Sequence, residues 1–291
     1  MNMKATSLTS LKPLQNTEFW LLAIAGGLIA VHVSLLWRLT TNLSLVSMNV
    51  LSWGALLSLL WDKRHTLKLE SDVFSSLLGL LLIGFVILRS MFVVSIDPIF
   101  ELSPFIAGLG VAMLASGVKG LQQYWLELII IFAFNAPLGI LLEQIDISTL
   151  TAKFASINLS YLGFEVHRQG VNIILPTGAV EVNRACSGLE GIVRLARLSV
   201  LFLVMFPVTL AKSILVPIVA VLVAFLVNVV RVALMAVLVA YSNKAAFEYW
   251  HKGDGAQIFF LISTLVFGLF CYFISQQDNH KDREPMETSG S

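Results

Sequence analysis

The stretch Asn183-Arg184-Ala185-Cys186-Ser187-Gly188-Leu189-Glu190-Gly191 carries a polar segment into an apolar one. Ser187 and Glu190 stand at S-x-x-E spacing, which predicts a capping box with Ser187 as N-cap and Glu190 as its reciprocal partner. Cys186 then falls at a helix N-terminus, where free N–H groups and the positive dipole end favour an anion. Arg184 lies two residues upstream, and Arg194 and Arg197 lie one and two turns beyond. A cysteine so placed is expected to have its pKa pushed down toward the nucleophilic thiolate. A lone cysteine in a membrane protein is more often a small buried apolar residue. The cap spacing, the local charge and partners further along the chain set Cys186 apart.

Those partners are Arg231 and His251. Arg231 stands in the apolar run Val-Asn-Val-Val-Arg-Val-Ala-Leu-Met, with no acid nearby in sequence. An ionisable residue in such a run is costly and is a functional candidate by default, although an arginine also snorkels to lipid phosphate. His251 follows Tyr249 and Trp250 at the end of a polar segment, where aromatic anchoring at an interface is the plainer role. A thiolate needs a base or ion-pair partner and a group that stabilises an oxyanion, and Cys186, His251 and Arg231 supply these three kinds of group. Arg194 is four residues after Glu190, so the two form an i,i+4 pair on one helix face. Among the other histidines, His65 and His280 fall on the opposite side of the membrane, His32 lies inside the first apolar run, and His167 lies in the outer segment.

The elements that must position these groups belong to a membrane protein. Of 291 residues, 57% are hydrophobic and only 13% charged, and the mean hydropathy is +0.84. Soluble domains carry about a quarter charged residues. The net charge of +1, without any basic block or phosphate loop, gives no support to a nucleic-acid partner. Two cysteines, Cys186 and Cys271, form no disulfide framework. No Cys/His spacing suggests a metal, and no cofactor is expected. The first apolar run lacks a small-residue cleavage site after it, so it reads as a retained helix.

Apolar runs cover 19–37, 43–61, 73–94, 105–118 (extending back to Pro98 if Glu101 lies at the interface), 125–142, 187–206, 213–241 and 256–274. The first five are near the length that crosses about 30 Å of hydrocarbon, whereas 213–241 is too long for one perpendicular span. The expectation is an all-α polytopic membrane protein with about eight transmembrane helices. Pro137 predicts a kink near Asn135. Residues 143–185 are the one long outer-face segment, with an amphipathic surface helix over 145–164 and a small β-hairpin over 165–182 turning at Pro176-Thr177-Gly178. Residues 1–18 form a cytoplasmic lead, 19–275 the membrane domain, and 276–291 a disordered cytoplasmic tail with no further domain after it. With both termini cytoplasmic, the basic loop after Trp61, Lys119, Lys212 and the tail share the inner side, as the positive-inside tendency requires. The same assignment brings Cys186, Arg231 and His251 to the outer side from three different helices.

The segment Ala-Cys-Ser-Gly-Leu-Glu-Gly (185–191), then Asn228-Val-Val-Arg231, then His251 before a last span, resembles the exosortase/archaeosortase superfamily. The resemblance covers roughly residues 70 to 275, and its motifs are specific in combination. It implies a membrane cysteine transpeptidase of the bacterial inner membrane, with Cys186 as nucleophile and Arg231 and His251 as the other catalytic positions. Histidine at the third position resembles the bacterial branch. Asn228 matches the Asn before the family arginine and is expected to orient it; Arg184, Ser187, Glu190 and Arg194 are supporting residues without an implied role. The implied substrates are exported proteins with a C-terminal signal of short motif, transmembrane helix and basic cluster (Pro-Glu-Pro in the PEP-CTERM type). A membrane lipid or glycan is the implied acceptor. The alternative is a non-enzymatic transporter or envelope-assembly factor, in which Arg231 and the Glu190–Arg194 pair line a substrate path.

Overall fold

The computed structural model describes residues 17–138, 144–206, 208–252 and 254–281. The expected lead over 1–16 and the end of the tail lie outside them. The chain forms two compact units, Met1–Pro137 and Leu138–Ser291. Six stretches among the described residues are long and apolar enough to cross a membrane. One of these, Pro98–Asn135, contains two helices. The protein is a polytopic all-α membrane protein with one small sheet.

The first unit holds α1 (Thr17–Leu39), α2 (Leu43–Lys63), α3 (Val73–Ser90), α4 (Pro98–Gly120) and α5 (Trp125–Asn135). Short polar residues start these helices: Asn42, Asp72 and Asp97 each accept from a backbone N–H three residues on, which satisfies one of the orphan donors of each first turn. Buried Glu127 of α5 pairs with Lys63 of α2 at 2.7 Å. Helices α3 and α4 touch backbone to backbone, because a Cβ on Gly79 would lie 2.6 Å from the Gly110 carbonyl oxygen. Small residues permit such approach where lipid offers no hydrophobic drive between helices. Helix α5 stops at Asn135, with Ala136 in extended conformation. The chain therefore leaves the helix at Ala136, where a kink is expected, and is helical again at Leu138; Pro137 cannot continue the hydrogen-bond ladder. Residues 139–143 lie outside the described residues.

The second unit begins with α6 (Ser148–Tyr161), followed by strands β1 (His167–Gln169), β2 (Asn172–Leu175) and β3 (Gly178–Glu181). Next come α7 (Leu189–Met205), α8 (Leu210–Ala240), α9 (Lys244–Lys252) and α10 (Asp254–Lys281). Helix α8 is the hub, packing against α6, α7, α9, α10, β2 and β3. Its 31 residues span about 46 Å at 1.5 Å per residue. The helix expected on the membrane surface is instead a core element. Its stripe Thr151, Ala152, Ala155 and Leu159 is fully buried, and the alanines and leucine join Val229, Val232, Ala233 and Ala236 of α8.

The expected hairpin is a three-stranded antiparallel meander in the order β1-β2-β3. Its second turn is the predicted one at Pro176-Thr177. The first turn, at Gly170 with φ +62°, lies between residues too polar for a strand signal. Ile173 and Leu175 on β2 and Val180 and Val182 on and after β3 are buried, so alternate residues cover α6 and α8. Thr177 Oγ1 donates to the Ala240 carbonyl at 2.7 Å, fastening the turn to the end of α8. Two further expectations change. The polar stretch after Tyr241 contains the helix α9, and α10 continues through Lys281 where a disordered tail is expected from residue 276.

Gly79→Ala should lower the thermal midpoint of the detergent-solubilised protein, the overpacking being worth about 1–3 kcal/mol. Gly84→Ala, with nothing within 4 Å of its added Cβ, should leave the midpoint unchanged or raised. Equal behaviour of the two variants would contradict the close α3–α4 crossing.

Candidate active site

Three elements of the second unit converge here. The sheet delivers the chain to a short 3-10 turn, Arg184–Cys186. Asn183 caps that turn, its Oδ1 accepting from the Cys186 N–H at 3.1 Å. Helix α8 supplies Asn228 and Arg231, and α9 supplies His251.

The Cys186 Sγ lies 3.1 Å from His251 Nε2. The cysteine is 4% exposed. Asn228 Nδ2 donates to the Cys186 carbonyl at 2.9 Å, and its Oδ1 accepts from Arg231 Nη1 at 3.4 Å. Arg231 also donates from Nη2 to the His251 carbonyl at 2.8 Å and from Nε to the Trp250 carbonyl at 3.3 Å. A guanidinium that serves the last carbonyls of a helix meets both its free acceptors and its negative dipole end. The imidazole of His251 also stacks on Phe247, one turn earlier, with ring centroids 5.1 Å apart. The sequence-predicted trio and Asn228 are therefore one connected cluster.

The capping box does not form. The N-cap of α7 is Gly188, not Ser187, and no side chain caps it. Gly188 has φ +92°, and a Cβ there would lie 2.5 Å from Asn228 Nδ2. The left-handed region and the close amide both demand glycine. Ser187 Oγ accepts instead from the Leu189 N–H at 3.4 Å. Glu190 pairs with Arg194 as the i,i+4 spacing predicts, and Arg194 lies over the Phe260 ring at 5.4 Å. Arg184 is exposed and donates to the Ile145 carbonyl at 3.2 Å. His32 is buried between Trp53 and Phe100 in the first unit, and His167 lies exposed on β1. The His280 side chain lies outside the description.

The thiol also departs from expectation. Burial pushes the Cys186 pKa up, and the charge of Arg231 offsets this only in part. The cause is burial: the sulfur sits in a desolvated turn ahead of the Gly188 N-cap, and desolvation disfavours the anion. A thiol 3.1 Å from an imidazole nitrogen has the geometry of a nucleophile with its base.

Sequence reasoning missed Asn183, Gly188 and Thr151. Thr151 of α6 is fully buried and donates to the Ser187 carbonyl at 2.7 Å. The Asn-x-x-Cys spacing is a usable signal for the first. Nothing local marks Thr151, whose partner is 36 residues away.

Two outcomes follow. Iodoacetamide should alkylate Cys186 more slowly than free cysteine at neutral pH, with the rate climbing past the ordinary thiol range of about 8.5. A raised pKa leaves less thiolate below that range, so a neutral-pH rate above that of free cysteine would contradict it. Thr151→Val should leave the Ser187 carbonyl unpaired and cost about 1–3 kcal/mol, seen as a lower thermal midpoint in detergent.

The transmembrane exosortase family model matches residues 37–268, well over half of the chain. No curated protein and no solved structure matches it. The matched stretch contains the apolar spans from α2 to the middle of α10 together with Cys186, Asn228, Arg231 and His251. The chain belongs to the transmembrane exosortases, multi-pass membrane proteins that act in general as sorting transpeptidases on exported proteins.

Proposed function

We propose that this protein cleaves the C-terminal sorting signal of exported proteins at Cys186 and passes the new C-terminus to an acceptor. The observation that carries this reading is the 3.1 Å contact between Cys186 Sγ and His251 Nε2 inside a buried cluster. The substrate signal is of the PEP-CTERM type: a short motif, a transmembrane helix and a basic cluster. The signal helix lies along the membrane helices and leaves its motif at the face that carries Cys186. With the basic loops on the cytoplasmic side of the bacterial inner membrane, that face is periplasmic.

The steps use groups already in place. His251 Nε2 takes the proton from Sγ as sulfur attacks the scissile carbonyl, forming the C–S bond and a tetrahedral oxyanion. The positive charge of Arg231 favours the thiolate and the developing negative charge beside it. The oxyanion collapses, the C–N bond breaks, and His251 returns its proton to the leaving amine. The resulting thioester is attacked by a lipid, a glycan or water. His251 accepts the proton of that nucleophile and hands it to the departing sulfur, which restores the thiol. Ser187, Glu190, Arg184 and Arg194 support the turn and the first turns of α7.

The test is intact mass spectrometry of a co-expressed substrate bearing a tripartite signal, with wild type and with Cys186→Ala. Wild type should cut at the motif; the variant should be inserted in the membrane and inactive, a loss of at least about 10³-fold as expected for removing a nucleophile. Added mass at the new C-terminus identifies the acceptor, and its absence identifies hydrolysis. Normal cutting by Cys186→Ala would sink the proposal.

A further inference from the structure

Asn228 and Arg231 are one turn apart on α8, and between them they hold the backbone of both reacting residues. Asn228 Nδ2 holds the carbonyl of Cys186 at 2.9 Å, and Arg231 Nη2 holds the carbonyl of His251 at 2.8 Å. The Nη1 to Oδ1 contact at 3.4 Å joins the two holders. Helix α9 has only nine residues, too few to be stable by itself in water. The link before it passes through Ser242 at φ +56°. The placement of α9 depends on contacts with other elements: Phe247 packs on the core, Trp250 meets Phe259, and the Arg231 contacts act at the end that carries His251.

We infer that Arg231 is a positioning residue: its guanidinium fork clamps the last carbonyls of α9 and, with Asn228, sets the distance between the Cys186 sulfur and the His251 imidazole. This rests on the reading of Cys186 and His251 as nucleophile and base. It differs from an arginine that touches the substrate. Three of its five N–H donors are committed to the protein, and two of these go to the α9 backbone. A lysine would keep the charge but cannot span the Trp250 carbonyl, the His251 carbonyl and Asn228 together, since an ammonium is a point donor without a planar fork.

The experiment reads the sulfur, not the substrate. Wild type, Arg231→Lys, His251→Ala and the double variant are treated with iodoacetamide in membranes across a range of pH. Mass spectrometry then follows Cys186 and Cys271 separately. His251→Ala should slow Cys186 alkylation at neutral pH by at least about a hundred-fold, the low end of the contribution of a general base, and leave the alkaline rate unchanged. Arg231→Lys should show the same profile, and the double variant should fall no further. A wild-type profile in Arg231→Lys would overturn the clamp, and loss of substrate processing in that variant would then assign Arg231 to the substrate. A further fall in the double variant would overturn it as well. Cys271 is buried in the α7–α8–α10 core, so its alkylation reports on the fold. If Arg231→Lys exposes Cys271 too, the arginine holds the unit and not the dyad, and the inference fails. None of the alkylation outcomes depends on whether a sorting signal is cut.

Discussion

A guanidinium on an apolar helix must find acceptors, and those that Arg231 finds are two backbone carbonyls and the Asn228 amide oxygen, not carboxylates. That constraint organises the second unit. Helix α8 is otherwise a packing surface of valine, alanine and methionine for α6, the sheet and α7. At Arg231 it becomes a point of attachment for a nine-residue helix that has little apolar surface of its own. The free carbonyls at the end of α9 need donors, and Arg231 needs acceptors. Each solves the other's desolvation problem. Because His251 is the residue that carries one of those carbonyls, meeting a membrane constraint also places an imidazole.

The sulfur is placed by a different set of constraints. A sheet strand ends at Glu181, Asn183 caps a 3-10 turn, and Gly188 turns left-handed to admit the Asn228 amide. Thr151 holds the carbonyl that follows the cysteine. Cys186 is thus gripped through its own N–H, its own carbonyl and its neighbour's carbonyl, all backbone atoms. The side chain is left to face the imidazole alone. Desolvation outweighs the pull of Arg231 on the sulfur, so the turn itself does not favour the thiolate.

Much of this was legible in the amino-acid order. The apolar runs show themselves by length, since hydrocarbon thickness imposes a period that no other constraint mimics. Arg231 and Cys186 were visible because both are anomalous in their surroundings, and Asn228 because it matches the Asn before the arginine of the family the chain resembles. What failed was the detail of the turn. Ser187 and Glu190 have the spacing of a capping box, yet spacing cannot register that an amide from α8 needs room at Gly188. The helix α9 was hidden for a similar reason. Its sequence is polar overall, and partners that hold it, Arg231 and the Phe259 ring against Trp250, come from other elements. The first turn of the sheet, at Gly170, is flanked by Arg168, Gln169 and Asn172, which carry no strand signal. Stretches read from their own composition were recovered; those whose state is decided by distant side chains were not.

The burial of the sulfur has one more consequence. Oxidation by peroxide and exchange with disulfides both require an accessible thiolate. Burial pushes the Cys186 thiol up, away from the thiolate, and leaves it 4% exposed. Cys271, the only other thiol in the sequence, is likewise enclosed. Burial therefore shields both thiols from oxidants by geometry alone.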